Sequence, residues 1–241
     1  MKMLIVVGTR PNFVKIAPLI KHLKNYKILH TGQHYSNTMS EGFLKGLGIP
    51  EPDYNLNVGS SSHAEQTASI MSLFEHICLK EKPDIVIVIG DVNSTLACSL
   101  VVSKIPNIKL AHIESGERSF DRTMPEEVNR VLVDHISDYL FCSTEQAVNN
   151  LLLEGIYKNV HLVGNIVIDN LVGYEKSITT PKSQHTLFTL HRPFNTDDRE
   201  TLTRILRCIN SLNTDVLFPI HPRTKKKIEI LHGDAGPELI H

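Results

Sequence analysis

Charge of one sign is missing from this chain: 25 Lys and Arg stand against 26 Asp and Glu, a formal net charge of -1 over 241 residues. Without a basic or acidic excess there is no electrostatic footprint for nucleic acid or an anionic membrane surface, so neither is expected as a partner. Long apolar runs are absent too. None approaches the roughly 20 residues that a membrane span needs, and Met1 to Arg10 runs into a strand pattern without a cleavable signal. A cytoplasmic location is therefore expected. Cysteine is scarce: Cys78, Cys98, Cys142 and Cys208 are widely spaced, with no C-x-x-C and no metal-ligand rhythm. They read as reduced core thiols, and no metal is expected. The first strand end reads GTRPNF rather than G-x-G-x-x-G, which argues against a dinucleotide redox cofactor. No cofactor is expected. Repeats, heptads and low-complexity tracts are lacking as well, and the lysine run at 225–227 reads as a solvated helix face.

What is present is alternation. With 41% apolar residues the chain can bury a sizeable core. Short β-branched runs at 3–8, 27–31, 85–89, 109–113, 139–142 and 160–163 predict strands. Helical periodicity fits 12–24, 37–46, 63–80, 94–104, 126–136, 145–153 and 166–174. This order predicts a doubly wound parallel α/β domain, Rossmann-like, over 1–174. The polar stretch EKSITTPKSQ at 175–184 reads as a linker. Alternation then restarts over 185–241, with strands at 186–190 and 215–219 and helices at 197–211 and 223–231. Two strands are few for a parallel sheet, which is covered on both faces, so this second domain reads as incomplete.

In open parallel sheets ligands bind beyond the carboxyl ends of the strands. Residues at those ends are Thr9, Arg10 and Lys15, then Gln33 and His34, Asp91, Glu114 with Arg118, Ser143 with Glu145, and Gly164 with Asn165. In the second domain they are His191 with Arg192 and His221 with Arg223. Each has an ordinary alternative. Asp91 could cap the next helix. Arg10 and Lys15 could be surface cations, although a helix start after a strand end also holds anions. Glu126 follows Pro125 at a helix start, where a carboxylate is stabilising in any case. A single histidine such as His34 or His191 is more often structural than catalytic, and His112 is read as structural. The segment HIESGERSFDRTMPEEVNR, 112–130, packs five carboxylates and three arginines into nineteen positions. Convergence of such groups on one sheet edge, rather than any single residue, favours a site.

Seven blocks in order, GTRPNFVKIAPL, TGQH, GDVNST, HIESGERSFDRTMPEEVNR, VGNIVID, TLHRPFN and FPIHPRT, resemble the UDP-N-acetylglucosamine 2-epimerases. The resemblance runs from residue 3 to about residue 225. It implies two Rossmann-like domains in a glycosyltransferase-B-like arrangement with the nucleotide sugar in the interdomain cleft. It also implies epimerisation at C2 of UDP-N-acetylglucosamine to UDP-N-acetylmannosamine, by anti-elimination of UDP and re-addition on the other face. Proton removal and return at C2 call for placed carboxylates, and the matching positions are Asp91, Glu114 and Glu126. Departing UDP calls for cations and a protonated imidazole, matched by Arg10, Lys15, Arg130 and His191. Gln33, His34 and His221 complete the set expected to hold substrate. Which carboxylate is base in which direction stays open. Within the segment 112–130, Glu117, Asp121 and Glu127 are expected to be solvated or structural.

Two positions depart from the family pattern. Asn12 replaces a glutamate at a helix start, with an expected cost of about 0.3–1 kcal/mol of dipole interaction. Glu117 replaces a leucine and puts a new charge beside Glu114. Family members also continue past the point where this sequence stops, in a part that grips uridine and diphosphate. An unfinished second sheet leaves strand edges and apolar surface to cover, so a homodimer is expected. Alternative readings are a hydrolysing epimerase that releases UDP and N-acetylmannosamine, a non-catalytic nucleotide-sugar-binding remnant, and a glycosyltransferase.

Overall fold

The computed structural model describes residues 1–33, 41–175 and 185–235, and the chain divides into two compact units, Met1–Ile178 and Thr179–His241. The expected linker at 175–184 lies outside the described residues except for Glu175, as does the first part of the expected helix 37–46.

Among the described residues unit 1 carries seven strands: β1 (Met3–Val7), β2 (Tyr26–His30), β3 (Tyr54–Asn55), β4 (Ile85–Ile89), β5 (Lys109–Ser115), β6 (Tyr139–Cys142) and β7 (Val160–Leu162). They form one sheet in the order β3-β2-β1-β4-β5-β6-β7, and every pairing is parallel. Among the described residues the seven helices of this unit are α1 (Arg10–Ile20), α2 (Glu41–Leu47), α3 (His63–Glu81), α4 (Asn93–Val102), α5 (Pro125–Ile136), α6 (Glu145–Leu153) and α7 (Ile166–Tyr174). This is the doubly wound α/β class. The strand order reverses between β1 and β4, and such a switch point opens a crevice at the strands' carboxyl ends.

Both faces of the sheet are covered, which is why the strand sequences are continuous apolar runs rather than alternating ones. On one face Met3, Ile5, Val7, Ile28 and Ile89 pack with Phe13, Ile16 and Ile20 of α1. On the other, Leu4, Val6, Val86, Val88 and Leu110 pack with Ile70 and Phe74 of α3 and with Ala97, Cys98 and Val101 of α4. Each fully buried side chain of this size contributes about 1.5–3 kcal/mol. Helix starts are fixed locally. Ser62 and Glu65 form a capping box at α3, Thr144 accepts from the Ala147 amide at α6, and Asn165 accepts from the Val167 amide at α7.

Several expected boundaries shift for physical reasons. The helix expected at 12–24 starts at Arg10, with Pro11 in its first turn, and ends at Ile20 so that the chain can turn into β2. β3 is a two-residue edge strand, too short to leave a periodic signal. β5 runs two residues further than expected, through Glu114 at φ +70°, with a register shift between Ile113 and Ser115. Three of the cysteines are buried as expected, but Cys208 is exposed, because it lies on the outward face of its helix.

Unit 2 has a two-stranded parallel sheet, β8 (His185–Leu187) and β9 (Asp215–Leu217), with α8 (Pro193–Thr196), α9 (Arg199–Asn210) and α10 (Pro222–Ala235). The helix expected at 197–211 is α9, which starts at Arg199 because Asp198 caps it, accepting from the Thr201 amide, and the short α8 precedes it. Its small core is Leu190, Leu202, Leu206, Ile228 and Leu231.

Candidate functional site

Four elements of unit 1 bring charged groups to the carboxyl ends of β1, β4 and β5. Lys15 stands on the second turn of α1, and its Nζ lies 2.6 Å from Glu114 Oε2 at the end of β5. Arg130, on α5, pairs with the carboxylate of Asp91, which directly follows Gly90 at the end of β4. Gly90 adjoins both pairs: a Cβ built on it would lie 3.5 Å from Glu114 Oε2 and 3.6 Å from Lys15 Nζ. Its φ of +67° is a conformation that favours glycine, and a Cβ there would meet both groups at ordinary contact distance. All four side chains are partly exposed, from 15% for Arg130 to 31% for Asp91, so they remain accessible to a ligand. Arg130 Nη1 also lies 3.4 Å from Glu127 Oε2, and its buried Nε lacks a hydrogen-bond partner among the described residues.

The strand end that places Lys15 is built by Asn12. Its Oδ1 accepts from the Gly8 and Thr9 amides and from Thr9 Oγ1, and its Nδ2 donates to the Ile89 carbonyl. Asn12 is buried and ties the end of β1 to the end of β4, so the expectation of a simple helix-dipole position is corrected. A carboxylate there could not make the donation to Ile89.

α5 is locked onto the same loops. Asn129 donates to the Asp91 carbonyl, and Glu127 accepts from the Ser119 amide and hydroxyl and from the Phe120 amide. Burial alone would raise the Glu127 carboxyl, but those donors and Arg130 outweigh it and hold it below the ordinary carboxylate range. Glu127 is thus structural. Glu126, one turn before Arg130, is exposed in the first turn of the helix. Glu117 is half-buried and accepts from Ser143 Oγ, and Asp121 accepts from the Thr123 amide and hydroxyl.

Other expected residues fall differently. Gln33 is buried, and its Oε1 accepts from both the amide and the hydroxyl of Ser94, so its amide oxygen serves the start of α4. That helix has Val92 at its N-cap, so Asp91 is not the cap. Arg10 is exposed and stacks over Phe43, 4.5 Å from the ring centroid. His34 lies outside the described residues. In unit 2, His191 and His221 are brought together with ring centroids 5.8 Å apart, and the Arg223 amide donates to His221 Nδ1. Sequence reasoning missed Asp134, which organises the buried side of the unit 1 site; it reads simply as a polar position of an amphipathic helix.

A family model described as UDP-N-acetylglucosamine 2-epimerase matches residues 20–239. The chain belongs to this family. A UDP-N-acetylglucosamine 2-epimerase of Methanococcus maripaludis is 46% identical over 93% of this chain and 66% of its own length. A UDP-2,3-diacetamido-2,3-dideoxy-D-glucuronate 2-epimerase of Pseudomonas aeruginosa is 41% identical over 96% of this chain and 70% of its own length. Among solved structures, the Methanocaldococcus jannaschii UDP-GlcNAc 2-epimerase in complex with UDP-GlcNAc and UDP matches with a TM-score of 0.81 and 42% identity. That match covers 100% of this chain and 72% of the other. The chain thus spans about two thirds of the length of the relatives it matches. The fold class is the glycosyltransferase-B-like one of these epimerases, and no helix among the described residues is long and apolar enough to cross a membrane.

Proposed function

We propose that this chain inverts C2 of UDP-N-acetylglucosamine, giving UDP-N-acetylmannosamine by elimination and re-addition of UDP. The observation that carries the reading is the pair of carboxylate–cation contacts, Lys15–Glu114 and Arg130–Asp91, on either side of Gly90 at the sheet's switch point. The chemistry asks for both kinds of group. A carboxylate takes the proton from C2 while the C1–O bond breaks and its electron pair leaves with UDP, forming the C1–C2 double bond of 2-acetamidoglucal. A second acid returns a proton to C2 from the opposite face, and the UDP oxygen re-forms the bond at C1. Asp91, Glu114 and Glu126 are the carboxylates assigned to these transfers. Cations next to them neutralise the diphosphate as charge develops, and Lys15, Arg130 and Arg10 take this part in unit 1. His191 and His221, brought together in unit 2, are the histidines assigned to the diphosphate. Gln33 and His34 complete the substrate contacts. The chain acts as a homodimer without metal or cofactor in this reading, and in the cytoplasm.

Proton NMR of the chain with UDP-N-acetylglucosamine in D2O tests this. Deuterium at C2 together with UDP-N-acetylmannosamine is expected. Free N-acetylmannosamine and UDP would instead make it a hydrolysing epimerase. Absence of exchange in the folded chain, with the 2,3-diacetamido uronate nucleotide also offered, would refute the catalytic reading.

A further inference from the structure

Glu114 stands in a backbone conformation that L residues rarely adopt, at φ +70°, and such a residue persists where its surroundings over-determine it. The group that does so is Asp134, on α5. Its Oδ1 lies 2.7 Å from His112 Nδ1, and its Oδ2 accepts from the Gly116 amide at 3.0 Å. Residues 112 and 116 bracket Glu114, two positions before it and two after. Asp134 is therefore bonded to both flanks of the strained residue. Gly116 is also fixed from its other side, where its carbonyl accepts from Asn150 Nδ2, and a Cβ there would lie 2.2 Å from the Ala147 carbonyl oxygen.

The same carboxylate reaches the Asp91 turn. His112 Nε2 donates to the Gly90 carbonyl at 2.8 Å, and the Gly90 amide donates to the Ile113 carbonyl at 3.0 Å. The N–H and the C=O of Gly90, the residue before Asp91, are thus both tied to the two residues that precede Glu114. Both ring nitrogens of fully buried His112 are engaged, Nε2 donating to the Gly90 carbonyl and Nδ1 sharing a hydrogen bond with the Asp134 carboxylate. Asp134 is itself held. Arg118 Nη1 donates to it at 2.7 Å, while Arg118 Nε and Nη2 grip Glu154 in a fork, both at 2.7 Å. His112, Asp134 and Arg118 are all 1% exposed or less at the side chain, so these three are closed to substrate. Burial alone would raise the Asp134 carboxyl, but His112 and then Arg118 outweigh it and keep it ionised.

We propose that Asp134 is a positioning residue: through His112 and Gly116 it holds the left-handed backbone of Glu114, and through His112 and Gly90 it fixes the spacing of Asp91 from Glu114. This rests on the reading of Glu114 and Asp91 as the groups that handle the C2 proton. Neither Asp134 nor His112 touches substrate.

The test uses the whole chain and Asp134→Asn, compared with Phe74→Leu, a core change that lowers stability without touching the network. Well below both melting temperatures, Asp134→Asn is expected to lower kcat for C2 exchange about a hundredfold with KM nearly unchanged, the size of effect that a misplacement of about 1 Å produces. Phe74→Leu should keep kcat. Equal kcat per folded molecule in wild type and Asp134→Asn would overturn the proposal. Two readouts need no turnover. Nitrogen-15 NMR of the wild type should show both His112 ring nitrogens hydrogen-bonded, with a slowly exchanging proton on Nε2, and a His112 ring that makes neither bond would overturn the proposal even if Asp134→Asn does not fold. The amide signals of Gly90 and Glu114 should also shift in Asp134→Asn while those of unit 2 stay put. If the wild type catalyses no exchange, the activity reading falls, and unmoved Gly90 and Glu114 signals would separately refute the positioning role.

Discussion

The two edges of the seven-stranded sheet both carry carboxylates paired with lysine, and they treat them differently. At the amino-terminal edge, Glu81 closes α3 and takes Lys2 Nζ at 2.7 Å, Lys27 Nζ at 3.0 Å and the Tyr54 hydroxyl. Donation from Lys2, then from Tyr54 and Lys27, pulls its carboxyl from 4.5 to about 2. At the carboxyl edge, Glu114 has Lys15 as its single ion partner among the described residues, and Asp91 has Arg130. A carboxylate gripped by three donors has little acceptor capacity left for a ligand or proton and serves as a clamp. One held by a single cation keeps that capacity. The difference teaches that an ion pair is read by what remains unpaired, not by its distance.

The largest expected break in this contrast is Glu114→Gln, which should lower C2 exchange by about 10²–10⁴-fold, the usual weight of a placed acid or base, in the NMR assay above. The matching change at the other edge, Glu81→Gln, should leave exchange unchanged and cost about 1–2 kcal/mol, or roughly 2–8 °C in melting temperature by calorimetry. Acid sharpens the point. Because the Glu81 carboxyl is lowered on folding, its contribution is complete above about pH 4.5 and is lost as pH falls toward about 2. The melting difference between wild type and Glu81→Gln should therefore be constant above pH 5 and shrink below it. A difference that grows toward acid would reverse the assignment. The smallest effect concerns thiols. Burial pushes Cys78 up to about 12 and Cys142 to about 11, and raises Cys98 as well, whereas Cys208 is exposed. One thiol should react with a disulfide reagent in the native chain at pH 8, and four after denaturation.

Much of this was legible in the sequence because the signals are local. The strand runs at 85–89 and 139–142 are where the sheet has them, and Lys15, Asp91, Glu114 and Arg130 follow or face strand ends as a doubly wound fold requires. What stayed hidden is set by tertiary geometry. Asn12 looks like a helix start, yet its amide holds the end of β1 and reaches the Ile89 carbonyl 77 residues on in sequence. Gln33 looks like a free polar group at a strand end, yet it serves α4. Asp134 shares a face of α5 with Arg130, one turn away, and nothing in helical periodicity distinguishes a carboxylate that meets water from one that meets a buried histidine.

The most direct test of the account measures C2 exchange and melting temperature side by side in wild type, Glu114→Gln and Glu81→Gln. The account predicts a double dissociation, with Glu114→Gln losing exchange at an unchanged melting temperature and Glu81→Gln losing melting temperature at an unchanged exchange rate. Loss of both properties in both variants, or full exchange in Glu114→Gln, would contradict it.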